Sequence, residues 1–249
     1  MLSKETNISR LIDSTLLKAD ATIDDIEKLC KDAIDNQIYS VCVNPCYLEK
    51  ANQFLVGSNV RICTVIGFPL GANTIPSKTQ EIFNSIYYGI DEIDYVINLG
   101  RLSSNDYGYI EEEISAFDYV CSSFSNKIIS KVIIETCFLN KESIQKICKI
   151  ILKTNIDYVK TSTGFNGRGA TIEDIKTIKN IVGDKKGIKA SGGIGNYRTA
   201  INMIEAGATR IGTSKAVQII REEYEIKEIL LFLDSIEEQK KKYKNTWLI

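Results

Sequence analysis

Histidine is absent from this 249-residue chain, and its absence excludes several kinds of catalytic site. Without an imidazole, the chain can build neither a Ser-His-Asp nor a Cys-His nucleophile, nor a zinc site with histidine ligands. A catalytic proton must therefore move through carboxylates, lysines, hydroxyl groups or water.

The sequence also has little excess charge and no long apolar run. Lys+Arg number 31 and Asp+Glu 32, and the net charge of −1 does not favour nucleic-acid or membrane-surface binding, although it is compatible with a local basic pocket for a phosphate. The apolar stretch Ile229–Leu233 is far shorter than the roughly 20 residues of a membrane helix. Met1–Asn7 lacks the apolar core of a signal peptide, so we expect a cytoplasmic protein.

Paired-cysteine motifs are missing as well. The cysteines are odd in number, include no C-x-x-C pair and lie mostly in apolar runs, so we interpret them as reduced core thiols. They are Cys30, Cys42, Cys46, Cys63, Cys121, Cys137 and Cys148.

Eight short β-rich runs alternate with segments in which apolar residues have helical spacing. The β-rich runs are Leu11–Leu17, Tyr39–Val43, Arg61–Ile66, Glu92–Ile97, Lys131–Ile134, Ile156–Val159, Gly187–Ala190 and Arg210–Gly212. The helical segments are Ile23–Ile34, Thr79–Tyr88, Ile110–Phe124, Ile144–Leu152, Ile172–Ile181, Arg198–Ala206 and Lys215–Glu222. Alternating strands and helices imply parallel βαβ units, and eight such units without a long linker favour a closed barrel.

We therefore predict an α/β fold, a single-domain (β/α)8 TIM barrel in residues 1–249. The barrel is expected at about 11–222, with a short helix in Leu2–Arg10 across its bottom. The polar tail at 223–249 is expected to form a helix with a mobile end. The pairs Thr22-x-x-Asp25 and Thr171-x-x-Asp174 predict helix starts, and Gly207 predicts a helix stop.

Two lysines near the ends of apolar runs are the first candidates for chemistry. Lys160 ends a buried run before Thr161–Gly164, and Lys189 lies before Gly192 and Gly193. Burial lowers the pKa of a lysine, and a neutral lysine can form a Schiff base with a carbonyl. A strand-end lysine by itself is most often a surface charge or half of an ion pair, so other residues must support the assignment.

Those other residues are polar groups and turns expected at the same end of the barrel. Carboxyl-terminal strand ends share one mouth, which would bring Asp13, Cys42 and Asp94 towards the lysines. The turns Gly192–Gly195 and Gly212–Ser214 follow the last two strands, where barrels often bind phosphate. Taken singly, Asp94 could be a paired core carboxylate, Cys42 core filler and each turn only a turn. Glu135 could be a ligand at the mouth or part of an ion pair.

The order of motifs along the chain resembles that of the deoxyribose-phosphate aldolase family, which are class I aldolases of deoxynucleoside catabolism. The resemblance covers nearly all of the chain up to about Ile220. The motifs are Ile12–Lys18, Cys42–Pro45, Ile66–Gly71, Asp91–Asp94, Val132–Thr136, Val159–Phe165, Lys189–Gly193 and Arg210–Ser214.

This resemblance implies reversible cleavage of 2-deoxy-D-ribose 5-phosphate to acetaldehyde and D-glyceraldehyde 3-phosphate, with neither a metal nor another cofactor. It makes Lys160 the Schiff-base lysine, Lys189 the lysine that perturbs it and Asp94 the carboxylate of a proton relay. It also implies a homodimer. The expected substrate-binding residues are Asp13, Thr15, Cys42, Thr163, Gly164, Gly192, Gly193, Gly212, Ser214 and Lys215.

The chain departs from the family pattern at three positions. Ser14 stands where many relatives have histidine. Gly195 replaces a frequent arginine beside one phosphate turn, and Lys215 replaces a frequent serine beside the other. We expect that the cation that binds phosphate has moved from one turn to the other.

Two alternative functions are compatible with the same residues. One is another Schiff-base barrel aldolase or transaldolase acting on a ketose phosphate, which would differ in its products. The other is a sugar-phosphate-binding barrel without turnover, which would form no covalent adduct on Lys160.

Overall fold

The computed structural model describes residues 7–124 and 127–246, and in them eight strands form a closed parallel barrel in sequence order. The predicted TIM barrel is therefore confirmed. The strands are β1 (Ile12–Leu16), β2 (Ser40–Val43), β3 (Arg61–Ile66), β4 (Glu92–Val96), β5 (Ile129–Ile133), β6 (Tyr158–Lys160), β7 (Gly187–Ser191) and β8 (Arg210–Thr213). Each strand pairs with the next, and β8 pairs with β1.

Nine α-helices occur in the described residues. They are α1 (Ile23–Asp35), α2 (Leu48–Leu55), α3 (Ile75–Tyr87), α4 (Leu99–Ser103), α5 (Tyr107–Ser122), α6 (Lys141–Ile151), α7 (Ile172–Val182), α8 (Tyr197–Glu205) and α9 (Ala216–Thr246). Helices α2 and α4 were not predicted, because eight and five residues are too few to establish a clear apolar period. Helix α3 starts at Ile75 because the Thr74 side chain caps it and a proline occupies its first turn.

The predicted helix boundaries have the expected physical causes. Thr22 and Asp25 form a capping box at α1, and Thr171 and Asp174 form another at α7. Gly207, just after α8, has a φ of 118°, a value that favours glycine.

The barrel interior departs from the usual layers of branched apolar side chains. Ile, Val and Ala residues of the strands are buried in the main hydrophobic core, as expected for parallel strands covered on both faces. The interior also holds seven charged side chains with at most 3% of their surface exposed. They are Asp13, Glu92, Asp94, Lys131, Lys160, Lys189 and Arg210. Because buried charges are costly unless they are paired, this set must be internally compensated.

The two ends of the chain differ from the prediction. Most of the helix expected at Leu2–Arg10 lies outside the described residues, and Ile8–Leu11 form a 3₁₀ turn capped by Asn7. Helix α9 runs without a break from Ala216 to Thr246, whereas we predicted a barrel helix ending at Glu222 and a separate tail. The mobile end was expected after the apolar spacing that finishes at Leu233, but α9 continues to Thr246, and residues 247–249 lie outside the described part. The extent of the single domain over residues 1–249 stays a prediction. Among the described helices, none combines the length and the apolar character needed to cross a membrane.

Candidate active site

The two predicted lysines meet at one carboxylate oxygen. Lys160 and Lys189 are register partners on β6 and β7, so their side chains leave the sheet side by side. Lys160 Nζ lies 2.8 Å and Lys189 Nζ 2.6 Å from Oδ2 of Asp94, which reaches them from β4. The structure therefore brings together the three residues that the sequence assigned to catalysis.

A third lysine, Lys131, completes the contacts of Asp94 and was not recognised as part of the site. Its Nζ lies 2.9 Å from Asp94 Oδ1 and 2.6 Å from Glu92 Oε2. Lys131 is the β5 register partner of Asp94. The signal for it was a lysine inside the apolar run Ile128–Ile134, which we used only to mark the start of a strand.

Asp13 lies among these charges and does not line the cavity described below. Its Oδ2 is 2.5 Å from Lys189 Nζ, and its Oδ1 accepts hydrogen bonds from Arg210 Nη1 and Ser40 Oγ, both at 2.7 Å. Arg210 also contacts Glu92 at 3.1 Å and was likewise not recognised from the sequence. A direct contact between Asp13 and substrate stays a prediction.

The contacts determine which of these groups are charged. Burial would raise the pKa of Asp94, but Lys131, Lys160 and Lys189 outweigh it and hold that pKa well below its usual range. Burial would lower the pKa of Lys189, but the carboxylates of Asp13 and Asp94 outweigh it and raise that pKa. The pKa of Lys131 is raised in the same way, chiefly by Asp94. Asp94 is therefore an anion and Lys189 a cation throughout the neutral range.

A cavity of about 240 Å³ opens at the carboxyl-terminal end of the barrel, with Lys160 in its wall. Seven of the residues that we predicted to bind substrate line this cavity. They are Thr15, Thr163, Gly164, Gly192, Gly193, Gly212 and Ser214. Lys18 and Ser191 also line it and were not predicted as site residues. Asp13, Cys42, Asp94, Lys189 and Lys215 are not among its lining residues.

The glycines of the cavity wall are required by close approaches. A Cβ on Gly212 would lie 2.2 Å from Ser191 Oγ and 3.0 Å from Lys189 Cε. Gly192 has a φ of 84°, and a Cβ there would lie 2.8 Å from the Cα of Gly169. Both turns therefore bring backbone to the cavity surface, where N–H groups can bind an anion.

The two cations near the phosphate turns are placed differently. Lys18, in the loop after β1, is exposed and lines the cavity. Lys215 is exposed in the loop after β8, where its backbone N–H donates to Thr213 Oγ1. Lys18 is therefore a second candidate for a phosphate contact, and it was overlooked because it lies near the first strand rather than the last two.

Cys42 is fully buried in a small apolar cluster with Leu17, Cys63 and Val65. Cys63 Sγ lies 3.4 Å from Asp94 Oδ1. The sulfur atoms of Cys42 and Cys63 and a carboxylate oxygen of Asp94 lie within 4.8 Å of one another, which is a possible donor set for a metal. Three ammonium groups already surround Asp94, so the local charge disfavours a cation there.

Glu135 neither lines the cavity nor belongs to an ion pair among the described residues. It follows β5 in a left-handed conformation, with φ at 50°, and its side chain is fully buried. Its carboxylate accepts hydrogen bonds from the Thr163 backbone and hydroxyl and from Asn166 Nδ2. Glu135 therefore anchors the loop after β6 that carries Thr163 and Gly164 to the cavity.

The mouth of this parallel barrel presents a buried amine, with a second lysine and a carboxylate behind it. This arrangement is typical of barrel enzymes that use Schiff-base chemistry. The family model described as DeoC/LacD family aldolase matches residues 9–216. The chain belongs to this aldolase family.

Relatives of known name agree with this assignment. The chain is 53% identical over 209 residues to a deoxyribose-phosphate aldolase of Ureaplasma parvum serovar 3, a match covering 84% of this chain and 95% of the relative. It is 46% identical over 225 residues to one of Caldanaerobacter subterraneus, covering 89% and 97%. The solved tetrameric deoxyribose phosphate aldolase of Aeropyrum pernix superposes with a TM-score of 0.81 at 29% identity, covering 88% of this chain and 92% of that one.

Proposed function

We propose that this protein reversibly cleaves 2-deoxy-D-ribose 5-phosphate to acetaldehyde and D-glyceraldehyde 3-phosphate through a Schiff base on Lys160. The observation that carries the assignment of Lys160 is its position. Of the four cations buried inside the described barrel, Lys160 lines the cavity, whereas Lys131, Lys189 and Arg210 lie behind it.

The proposed reaction begins when the neutral amine of Lys160 adds to the C1 aldehyde. The resulting carbinolamine takes up one proton and loses water, which gives an iminium. The C3 hydroxyl then loses its proton and the C2–C3 bond breaks. Its electron pair moves into the iminium, so that an enamine forms on Lys160 and D-glyceraldehyde 3-phosphate departs. Protonation of the enamine at C2 and hydrolysis release acetaldehyde and restore the amine.

We assign the proton relay to Asp94 and Lys189. Both Nζ atoms contact the same Asp94 oxygen, so a proton can pass between the second lysine and the reacting amine through one carboxylate. Lys189 is a charged donor held by Asp13 from the other side. Positioned proton transfer of this kind contributes about 10²- to 10⁴-fold to a rate.

At the opposite end of the substrate, we assign the phosphate to the turns containing Gly192, Gly193, Gly212 and Ser214, with Lys215 as the cation. Support for the turns comes from their shared position in the cavity wall. Thr15, Thr163 and Gly164 line the same cavity and are assigned to the sugar. Cys42 and Asp13 remain assigned to the substrate end only through the family resemblance.

Borohydride reduction in the presence of acetaldehyde, followed by peptide mass analysis, tests the covalent step. We expect a stable two-carbon adduct on Lys160 and none in Lys160→Met. Lys153→Met, which removes an exposed lysine paired with Glu111, is the matched control and should react like the parent protein. Absence of an adduct would favour the binding barrel. If the adduct forms but the protein cleaves a ketose phosphate to dihydroxyacetone-type products and leaves 2-deoxy-D-ribose 5-phosphate intact, the ketose-phosphate alternative is correct.

We also propose that the chain acts in the cytoplasm, as one domain, without a nucleic-acid or membrane partner. All seven cysteines are free thiols, and such thiols persist in a reducing compartment. The near-zero net charge supplies no general attraction to nucleic acid.

We further propose a homodimer that pairs the exposed part of α9 with its copy. Ile226, Ile229, Leu233 and Ile236 follow a 3-4-3 spacing, which is typical of a helix-pairing seam. This spacing is unchanged when the helix is reversed. An antiparallel copy would therefore place Ile226 against Ile236 and Ile229 against Leu233.

The exposure and charge of α9 agree with such a pair. Ile229 is 58% and Leu233 50% exposed, which is costly for a helix face in water. The same antiparallel register brings Lys240 of one copy to Glu222 of the other.

Light scattering after size-exclusion chromatography tests the pair. Ile229→Glu together with Leu233→Glu should yield monomers. Leu231→Glu, on the opposite face and 65% exposed, should leave the dimer intact. A dimer that survives the double substitution would have to use another surface.

A further inference from the structure

We infer that Arg210 and Glu92, at the bottom of the barrel and outside the cavity, set the protonation of Lys160 through the charge balance of a closed ring of buried ion pairs. They are positioning residues in this inference, because neither touches the substrate cavity. The inference rests on the proposed role of Lys160 as the reacting amine.

Six side chains form the ring, and their charges alternate. Starting from the bottom, Arg210 contacts Asp13 at 2.7 Å, and Asp13 contacts Lys189 at 2.5 Å. Lys189 contacts Asp94 at 2.6 Å, and Asp94 contacts Lys131 at 2.9 Å. Lys131 contacts Glu92 at 2.6 Å, and Glu92 returns to Arg210 at 3.1 Å.

The ring is neutral by itself, because it contains three cations and three anions. Lys160 is attached to it only from above, through Asp94 Oδ2. A protonated Lys160 therefore gives the interior a net charge of +1, whereas a neutral Lys160 leaves it balanced. Since an uncompensated buried charge is unfavourable, the neutral ring favours the amine that Schiff-base chemistry needs.

Arg210 is held tightly enough to act as a fixed charge. Its guanidinium stacks 3.8 Å from the centre of the Tyr39 ring, and only 4% of its side chain is exposed. Glu92 is fully buried and has a second, weaker partner in Arg61 at 3.8 Å, whose side chain is 44% exposed and therefore screened by water.

Besides Lys160, each of the other strands of the barrel carries at least one buried ionisable side chain. These side chains are Asp13 on β1, Cys42 on β2, Cys63 on β3, Glu92 and Asp94 on β4, Lys131 on β5, Lys189 on β7 and Arg210 on β8. Burial raises the pKa of the Cys63 thiol, so Cys63 adds no charge near neutral pH. The hydrogen bond with Cys63 holds the pKa of the Cys42 thiol below its usual value. Cys42 is unchanged in every variant compared below, so differences between those variants report on the ring members.

Removing a positive charge from the ring and removing a negative charge from it should move the acid limb of the pH–activity profile in opposite directions. Arg210→Gln leaves the ring at −1, which favours protonated Lys160, so the acid limb of activity should move to higher pH. Glu92→Gln leaves it at +1 and should move that limb to lower pH. One unit charge about 10 Å away at an effective dielectric of about 20 corresponds to a shift of about one pH unit.

The experiment measures the rate of borohydride-trapped imine formation with acetaldehyde from pH 4 to pH 10. Arg210→Lys keeps the charge and should keep the limb in place. The double variant Arg210→Gln/Glu92→Gln removes one charge of each sign and should return the limb to its original position, even if one single variant is too unstable to assay.

Two outcomes separate this inference from the proposed function. Slower imine formation with an unmoved limb in both single variants would overturn the inference and leave Arg210 and Glu92 as structural residues. No imine on Lys160 at any pH in the unsubstituted protein would instead overturn the proposed function.

Discussion

Asp94 shows how a single side chain can organise the chemistry of the barrel. Three ammonium groups contact its two oxygens, and all four side chains are at least 97% buried. Such an anion is the counter-ion that lets several lysines be buried, and in the proposed mechanism it is also the path by which a proton reaches the amine. Its pKa, held well below the usual range, keeps it charged throughout the neutral range.

Lys189→Leu should move the activity optimum to higher pH and also lower kcat. The pKa of Lys189 is raised by Asp13 and Asp94, so this residue contributes a positive charge across the working range. Its removal leaves Asp13 and Asp94 undercompensated, and Lys160 then keeps its proton to higher pH. A pH-rate profile checks this. A large loss of kcat without a shift would assign Lys189 to direct proton donation instead.

Lys215→Ser should raise KM for the phosphorylated sugar by about tenfold and leave KM for 2-deoxy-D-ribose nearly unchanged. A tenfold change corresponds to a loss of about 1.4 kcal/mol of binding free energy. Only the first substrate carries the dianion that the cation would bind. Lys18→Met is the matched variant, because Lys18 lines the cavity directly. If Lys18→Met raises KM and Lys215→Ser does not, the cation is Lys18. Equal effects on both sugars would rule out a phosphate contact.

At the scale of elements, one buried ion pair fastens α3 and α5 to the barrel near its mouth. Lys78 on α3 donates to Glu113 on α5 at 2.6 Å, and both side chains are fully buried. Lys78 also donates to the carbonyl of Val96, the last residue of β4, and Glu113 accepts from the Asn98 backbone. This pair therefore fixes two helices to the loop after the strand that carries Asp94.

Lys78→Met should lower the free energy of unfolding by about 3–5 kcal/mol, because Glu113 would keep its buried charge without a partner. Urea unfolding followed by circular dichroism measures the loss. Lys28→Met is the matched control, since its i,i+4 pair with Asp32 is exposed, and it should cost less than about 0.5 kcal/mol. A comparable loss of unfolding free energy in both variants would show that burial does not control how much the Lys78 ion pair stabilises the fold.

At the scale of the whole molecule, α9 divides into a part that belongs to the barrel and a part that projects from it. Ile219, Ile220 and Glu223 are buried, and Glu223 accepts from the Ile8 backbone and pairs with Lys227. The run from Ile229 to Leu233 is at least half exposed throughout. The family match also ends at residue 216, where α9 begins.

A chain ending after Lys227 should therefore retain the barrel and its kcat while losing the proposed dimer. The described side chains beyond Lys227 are exposed apart from the half-buried Ile236, so the expected change in Tm is within a few degrees for a protein of this size. Circular dichroism, the aldolase assay and light scattering measure the three properties. Loss of kcat with the barrel intact would show that the projecting helix contributes to the site.

Local patterns along the chain were sufficient for the order of strands, most helices, both capping boxes and the position of Lys160, Lys189 and Asp94 at one end of the barrel. These features depend on residue periodicity and on the shared direction of parallel strands, which a single sequence records directly. The resemblance of motifs added the aldolase family, which the family model confirmed.

Only the tertiary structure decided how the interior charges are paired. Arg210 meets Asp13 across 197 positions of sequence, and Lys131 meets Asp94 through the register of β4 and β5. No local period encodes such contacts, because they arise when eight strands close with a particular stagger. The same closure placed Lys18 in the cavity wall, Asp13 behind it and Glu135 beneath the loop after β6.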